Sequence, residues 1–240
     1  IDHWYWRRFL TKTDSGTWTL GGANTYTGNT VISAGTLKLA AANAISSSSA
    51  VSMANSTNLD LNGYSTSVGS LSTSGSGASV NVYNNASGTT ATLTVPSFGS
   101  SFAGVFRDNT SGTGVLALTL GSAATTNVLS GANAYSGLTT ITAGTLQASN
   151  SSALGTSSIV ITSGAVLDLN GQSLLNNGGL TINGTGITSG GAVINSSATG
   201  ATYAGLITLG SDSSIIGGTG SITISNAGTI TGSGKNLTLG

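Results

Sequence analysis

"GANTYTGNTVISAGTLKLA" (Gly22–Ala40) and "GANAYSGLTTITAGTLQAS" (Gly131–Ser149) are nearly the same nineteen residues, written twice in one chain 109 positions apart. Self-similarity on this scale points to a repeat architecture and decides the fold class before any single residue does. The likeness runs on. "VSMANSTNLDLNG" (Val51–Gly63) aligns with "IVITSGAVLDLNG" (Ile159–Gly171) at an offset of 108, so one residue is lost in between, as a surface loop tolerates. A weaker match joins the stretches beginning at Ser74 and Thr188. The chain therefore reads as about two copies of one block.

Inside each block the pattern has period two. Ile32 matches Ile141, Leu37 matches Leu146, and Leu59 and Leu61 match Leu167 and Leu169. The residues between them change type: Lys38 against Gln147, Ser52 against Val160. Kept aliphatic positions alternating with variable ones describe strands with one buried face. Gly-containing turns at Ala34–Gly35, Asn62–Gly63, Ala143–Gly144 and Asn170–Gly171 punctuate them. Sandwich, barrel and solenoid all suit many short strands. Similarity at several length scales, with Asn, Ser and Thr recurring at corners, favours coils stacked on coils. The expected fold is all-β, a parallel β-helix (β-solenoid) of roughly ten coils, making a rod of about 50 Å at about 4.8 Å per coil.

Composition agrees and removes several functions. Of 240 residues, 37 are Gly, one is Pro and none is Cys, while charged residues make up 5%. An apolar share of 38% at zero net charge can fill a core and is unlike a disordered chain. Three Lys and three Arg are too few for nucleic acid, so no nucleic-acid partner is expected. No apolar run is long enough for a membrane-spanning helix. The lack of Cys excludes thiol chemistry and a disulfide scaffold.

The two segments Gly-Ala-Asn-x-Tyr-x-Gly-x-Thr-x-Ile-x-x-Gly-x-Leu, each followed by Leu-Asp-Leu-Asn-Gly, resemble the autotransporter-associated β-strand repeat, also called the passenger-associated transport repeat. Weaker text extends the resemblance over about residues 16–240. It implies a right-handed parallel β-helix in a surface-exposed or secreted passenger of a bacterial type V system. It also implies a C-terminal translocator barrel as a partner outside this sequence. "LTLG" stands at Leu118–Gly121, ten residues before the second Gly-Ala-Asn, and again at Leu237–Gly240, so a third motif is expected near position 250 of the parent sequence.

Catalytic candidates are few. Parallel β-helices include polysaccharide lyases and hydrolases, whose chemistry needs carboxylates within about 5–9.5 Å of each other. Of the six Asp (Asp2, Asp14, Asp60, Asp108, Asp168 and Asp212), Asp60 and Asp168 share one context. They lie four or five coils apart, about 20–25 Å along a rod, and cannot cooperate. Each is expected to be a solvated residue between two buried leucines. Asp108 beside Arg107 is expected to cap an exposed turn, with sugar binding as the alternative. His3 stands alone at the terminus, so neither a Ser-His-Asp triad nor a histidine metal site can be assembled. "GTITGSGKN" (Gly228–Asn236) has Thr229 where a phosphate loop has Gly, and Asn236 after Lys235. "GGTGSITIS" (Gly217–Ser225) lacks the Asp of a calcium-binding repeat. Tyr26 and Tyr135 are repeat positions whose rings are expected to stack over a corner, with a sugar platform as the alternative. No catalytic, cofactor-binding or metal site is assigned, and no cofactor is expected.

The expected organisation is a leader or cap over residues 1–15, a first block over 16–127 and a second over 128–240. "IDHWYWRRFL" (Ile1–Leu10) holds four of the 13 aromatics and two of the three Arg, as a cap on the first coil or an aromatic–basic patch would. The leading functional expectation is a non-enzymatic stalk that exports or displays another region. The alternative is adhesion to glycans or self-association with neighbouring rods, and the third is a polysaccharide lyase or hydrolase.

Overall fold

In the computed structural model, which describes residues 9–99, 101–175 and 177–240, short strands pair in parallel around a β-solenoid of about 11 turns. Each turn contributes to three faces. Face one starts with Leu10–Lys12, Thr30–Ile32, Ala50–Ala54 and Ser70–Ser74, which pair in that order. It continues through the bond from Leu71 N–H to the Ser97 carbonyl and the Phe102–Leu129 bridge. Beyond it follow the second halves of Val115–Leu129 and Thr139–Ala148, then Ala165–Asp168, Val193–Ile194, the end of Ile207–Ile216 and Leu237–Leu239.

Face two stacks Thr17–Leu20, Thr36–Leu39, Asn58–Asp60, Asn81–Tyr83 and Val105–Phe106. The Arg107–Ala134 bridge carries it onward, and Ser173–Leu174, Ala201–Tyr203 and Ile222–Ile224 form its far end. Face three runs from Thr66–Ser67 through Thr90–Val95 and the first halves of Val115–Leu129 and Thr139–Ala148. It goes on to Ile159–Ile161, Leu180–Gly184 and the start of Ile207–Ile216.

The alternation read from the sequence is the inward–outward alternation of these strands. Ile32, Leu37, Leu59, Ile141, Leu146 and Leu167 are all buried. In register they lie directly over their counterparts: Leu37 over Leu59, and Leu146 over Leu167. A lone coil hides only one row of side chains, so burial comes from the neighbours above and below. Between the two blocks the aliphatic column gives way to rings. Phe98, Phe102 and Phe106 are buried with centroids 4.7–6.0 Å apart, and Tyr135 meets Phe106 edge-on at 6.3 Å.

The corners explain the glycines. Gly35 turns between face one and face two with φ +67°, and a Cβ there would stand 2.3 Å from the Gly16 carbonyl oxygen of the preceding turn. Both the backbone conformation and the close approach of the coils require a residue without a side chain.

The two copies of the motif do not lie on the same faces. Thr30–Ile32 and Thr36–Leu39 are on faces one and two, whereas their counterparts in Thr139–Ala148 are on faces three and one. From Thr30 the chain makes four complete turns and crosses two of the three faces of a fifth before it reaches Thr139. One 109-residue step therefore rotates the motif by a third of a turn about the rod.

Candidate functional site

The repeated motif carries the most organised polar chemistry in the molecule, and all of it points inward. In the first copy Tyr26 Oη lies 2.6 Å from Thr30 Oγ1, Thr30 Oγ1 lies 2.9 Å from Ser49 Oγ, and Ser49 donates to the Gly28 carbonyl at 2.9 Å. In the second copy the relay is Tyr135–Thr139–Ser157 at 2.8 and 2.9 Å, ending on the Leu154 carbonyl at 2.9 Å. Asn24 donates across a coil to the Ala44 carbonyl, and Asn133 repeats the bond on Ala153. Asn62 reaches the Leu39 carbonyl, and Asn170 the Ala148 carbonyl. These side chains satisfy backbone groups that the corners remove from the strand ladders.

Tyr135 is fully buried, and desolvation pushes its hydroxyl up to about 12, with the bonds to Thr139 and Ser157 opposing the shift. It presents no ring face to a sugar. Tyr26, nearer the end of the rod, is half-buried. The relay partners Thr30, Thr139, Ser49 and Ser157 escaped notice in the sequence, although each is identical across the repeat offset.

Asp60 and Asp168 correct an expectation: they are buried, at 3% and 2% exposure, and not solvated. Each carboxylate folds back onto backbone amides. Asp60 accepts from Asn62 N–H at 2.9 Å and, in the next coil, from Asn85 N–H at 3.1 Å. Asp168 accepts from the N–H groups of Asn170 and Ser196 and from the side chains of Ser196 and Gln147. The two lie on different faces as well as in different coils.

Asp108, half-buried, does more than cap its own turn. It holds Leu116 N–H at 3.0 Å and both Ser136 N–H and Ser136 Oγ in the following coil. It makes no ion pair with Arg107; Lys12–Asp14, at 2.8 Å, is the ion pair among the described residues. Lys12 is buried and also donates to the carbonyls of Asp14 and Ala34. Its contact holds the exposed Asp14 carboxyl below its ordinary range. Asp212 is lowered likewise by the amides of Asn236.

Among the described residues no three His, Cys, Asp or Glu side chains converge on a point that could hold a metal ion. Asp2 and His3, with the rest of residues 1–8, lie outside the described residues. Lys235 stands in an exposed turn closed by its own N–H to the Gly232 carbonyl, and Ile222–Ile224 of the glycine-rich stretch is a strand of face two.

A motif kept in its inward residues at two stations of one rod is a structural repeat, and comparison with protein families gives it a name. The family model described as Passenger-associated-transport-repeat matches residues 10–39 and 110–148. Over these two segments the chain is similar to passenger-associated transport repeats. Each matched segment ends with one of the two motif copies, so the repeat spans consecutive parallel strands together with the Tyr–Thr part of the relay. No curated protein and no solved structure matches the chain.

Proposed function

We propose that the chain is a non-enzymatic stalk within an autotransporter passenger, which carries and displays another region at the surface of a Gram-negative-type bacterium or in secreted form. The observation that carries this reading is the third-of-a-turn rotation between the motif copies. A repeat preserved for contact with a partner would keep its outward residues and return them to one face. Here most of the shared side chains face the core (Tyr26 and Tyr135, Thr30 and Thr139, Leu37 and Leu146); of the outward pairs, Lys38 and Gln147 differ, and Thr36 and Thr145 agree but lie on different faces. What is preserved is the ability to make and stack a coil, which suits a spacer folded turn by turn as it emerges from a translocator.

The carboxylates support the same reading. Among the described residues Asp60, Asp108, Asp168 and Asp212 are each held by backbone amides, which favours a structural over an acid–base role for them. The boundary between the two sequence blocks, near residue 127, falls inside the strand Val115–Leu129, which suits one continuous rod built from two duplicated stretches.

Export tests the proposal. The chain is fused between a signal peptide and a translocator barrel, with an epitope at its N-terminal end, and surface epitope is measured on intact cells. The wild-type chain and Thr140→Ser, outward on face three, should display it; Leu146→Asp, which places a charge in the core, should not. Equal display by all three, or none by the wild type, sinks the stalk reading.

A further inference from the structure

Over turns two to five, face two turns two parallel rows of side chains away from the core, and in the second of them Asp60 and Tyr83 are themselves covered. One is an amide ladder: Asn58 Nδ2 donates to Thr36 Oγ1 at 3.3 Å, and Asn81 Nδ2 donates to Asn58 Oδ1 at 3.1 Å. The other, two residues further along each strand, is Lys38, Asp60, Tyr83 and Arg107. Charge is scarce in this protein, yet two of its four described cations stand in this one row.

Among the described residues neither cation has an ion-pair partner. Asp60, next to Lys38, is committed to the amides of Asn62 and Asn85, and Asp108, next to Arg107, to Leu116 and Ser136. Arg107 is half-buried, and its Nε–H is buried with no acceptor, a donor left short by the fold. That buried Nε–H is closed to a ligand from outside, so the half-buried guanidinium meets one through its other N–H groups. Tyr83, buried between Asp60 and Arg107, is pushed up by desolvation, with Thr36 opposing the shift and the two charges acting in opposite senses.

We propose that this face binds an acidic glycan laid along the rod, its carboxylates seated on Arg107 and Lys38 and its hydroxyls on the Thr36–Asn58–Asn81 ladder. The guanidinium fork suits a carboxylate, and of the two half-exposed amides the second N–H of Asn58 can donate to a sugar hydroxyl and Asn81 Oδ1 can accept from one, since Asn81 Nδ2 is already held by Asn58 and the Ser79 carbonyl. Three coil steps separate the two cations, about 14 Å at about 4.8 Å per step, so a short oligosaccharide bridges them. Asp60 between them disfavours a third anionic group at the centre, which selects for spaced charges and against a dense polyanion. Two cations are also too few for nucleic acid. A strand-adding peptide finds no edge here, because Asn58–Asp60 and Asn81–Tyr83 are paired on both sides.

Titration calorimetry on the full 240-residue chain tests this, with an oligogalacturonate as probe, a maltooligosaccharide of equal length as neutral control and inorganic sulfate as competitor. Binding of the acidic oligomer should weaken about tenfold or more in Arg107→Gln, by less in Arg107→Lys, which keeps charge without the fork, and severalfold in Lys38→Gln. Lys235→Gln should bind as wild type, and thermal melting checks that each variant is folded. Should Arg107→Gln fail to fold, Lys38→Gln, at a half-exposed strand position, decides. The proposal is overturned by no binding at millimolar probe, by equal binding of the neutral oligomer, by sulfate competing as strongly as the oligomer displaces itself, or by Lys235→Gln weakening binding as much as Lys38→Gln. The stalk reading survives each of these outcomes, since its test is surface display.

Discussion

Replacing Thr139 by Val keeps the shape of the side chain and removes one oxygen from the middle of the buried relay. Ser157 retains its bond to the Leu154 carbonyl, but Tyr135 Oη, in a site with no exposure to water, loses the Thr139 hydroxyl and keeps only its weaker interaction with Ser157. Leaving a buried hydroxyl short of its main partner costs about 1–3 kcal/mol. Thr30→Val makes the same change in the first copy, where the half-buried Tyr26 has access to water, and should cost under about 1 kcal/mol. Tyr135→Phe removes the group that Thr139→Val would strand. The double variant should therefore be little worse than Tyr135→Phe alone, with a coupling of about 1–2 kcal/mol. Urea unfolding gives the free energies, and hydrogen exchange at Thr139–Ile141 reports the local coil if the rod does not melt as one unit. If Thr139→Val costs no more than Thr30→Val, or adds independently to Tyr135→Phe, the relay is not the brace described.

Other perturbations probe the corners, the core and the alkaline limb. Gly35→Ala should cost about 2–4 kcal/mol, because positive φ and the approach to the Gly16 carbonyl both resist a Cβ. Gly164→Ala, with φ +84° and open space, should cost only about 1 kcal/mol of backbone strain, so equal thermal shifts for the two would refute the packing argument. Phe102→Ala opens the ring stack and should cost about 3–5 kcal/mol in denaturant unfolding; a loss below 1 would mean the stack closes over the gap. Tyr135 ionises near 10.0 when unfolded and near 12 when folded, so its neutral form favours the fold at every pH below 10. That contribution, about 3 kcal/mol, drains away as pH rises from 10 to 12. Tyr135→Phe should make the alkaline loss of stability shallower without abolishing it, since Tyr203 and Tyr83 shift the same way; an unchanged pH profile would contradict the burial.

The fold was legible because the repeat let two noisy copies vote. Aliphatic positions kept in both, such as Ile32 with Ile141 and Leu59 with Leu167, all proved to face the core. The rotation between copies was not legible, because the number of residues per turn varies. Successive face-one strands begin at Leu10, Thr30, Ala50 and Ser70, but the next turns lengthen around residues 97 and 127, and no local signal tells a long corner from an extra strand. The ring stack escaped for a related reason. Phe98, Phe102 and Phe106 are spaced by four, a helical interval, yet they sit on corners and short strands where irregular backbone brings them together. The buried aspartates escaped because a charged residue flanked by leucines in a strand reads as outward and wet, and its chain gives no hint of the coil that will cover it.

Those aspartates account for the odd composition of the rod, with six Asp and no Glu. In a parallel solenoid the strands ladder with their neighbours, but amides at the corners point into gaps and need acceptors. Asp60, Asp108, Asp168 and Asp212 each take an amide of the following coil: Asn85, Ser136, Ser196 and Asn236. Asp14, Asp60 and Asp168 also close on the amide two residues ahead, the tight ring that an aspartate makes. Glu carries one more methylene, so the same carboxylate would be pushed out of that ring and towards solvent. Four of the described aspartates in this rod are thus backbone acceptors that pin one coil to the next. Among the described residues Lys12 is paired with Asp14, whereas Arg107 and Lys38 stand beside aspartates that are turned onto backbone amides and make no ion pair with them.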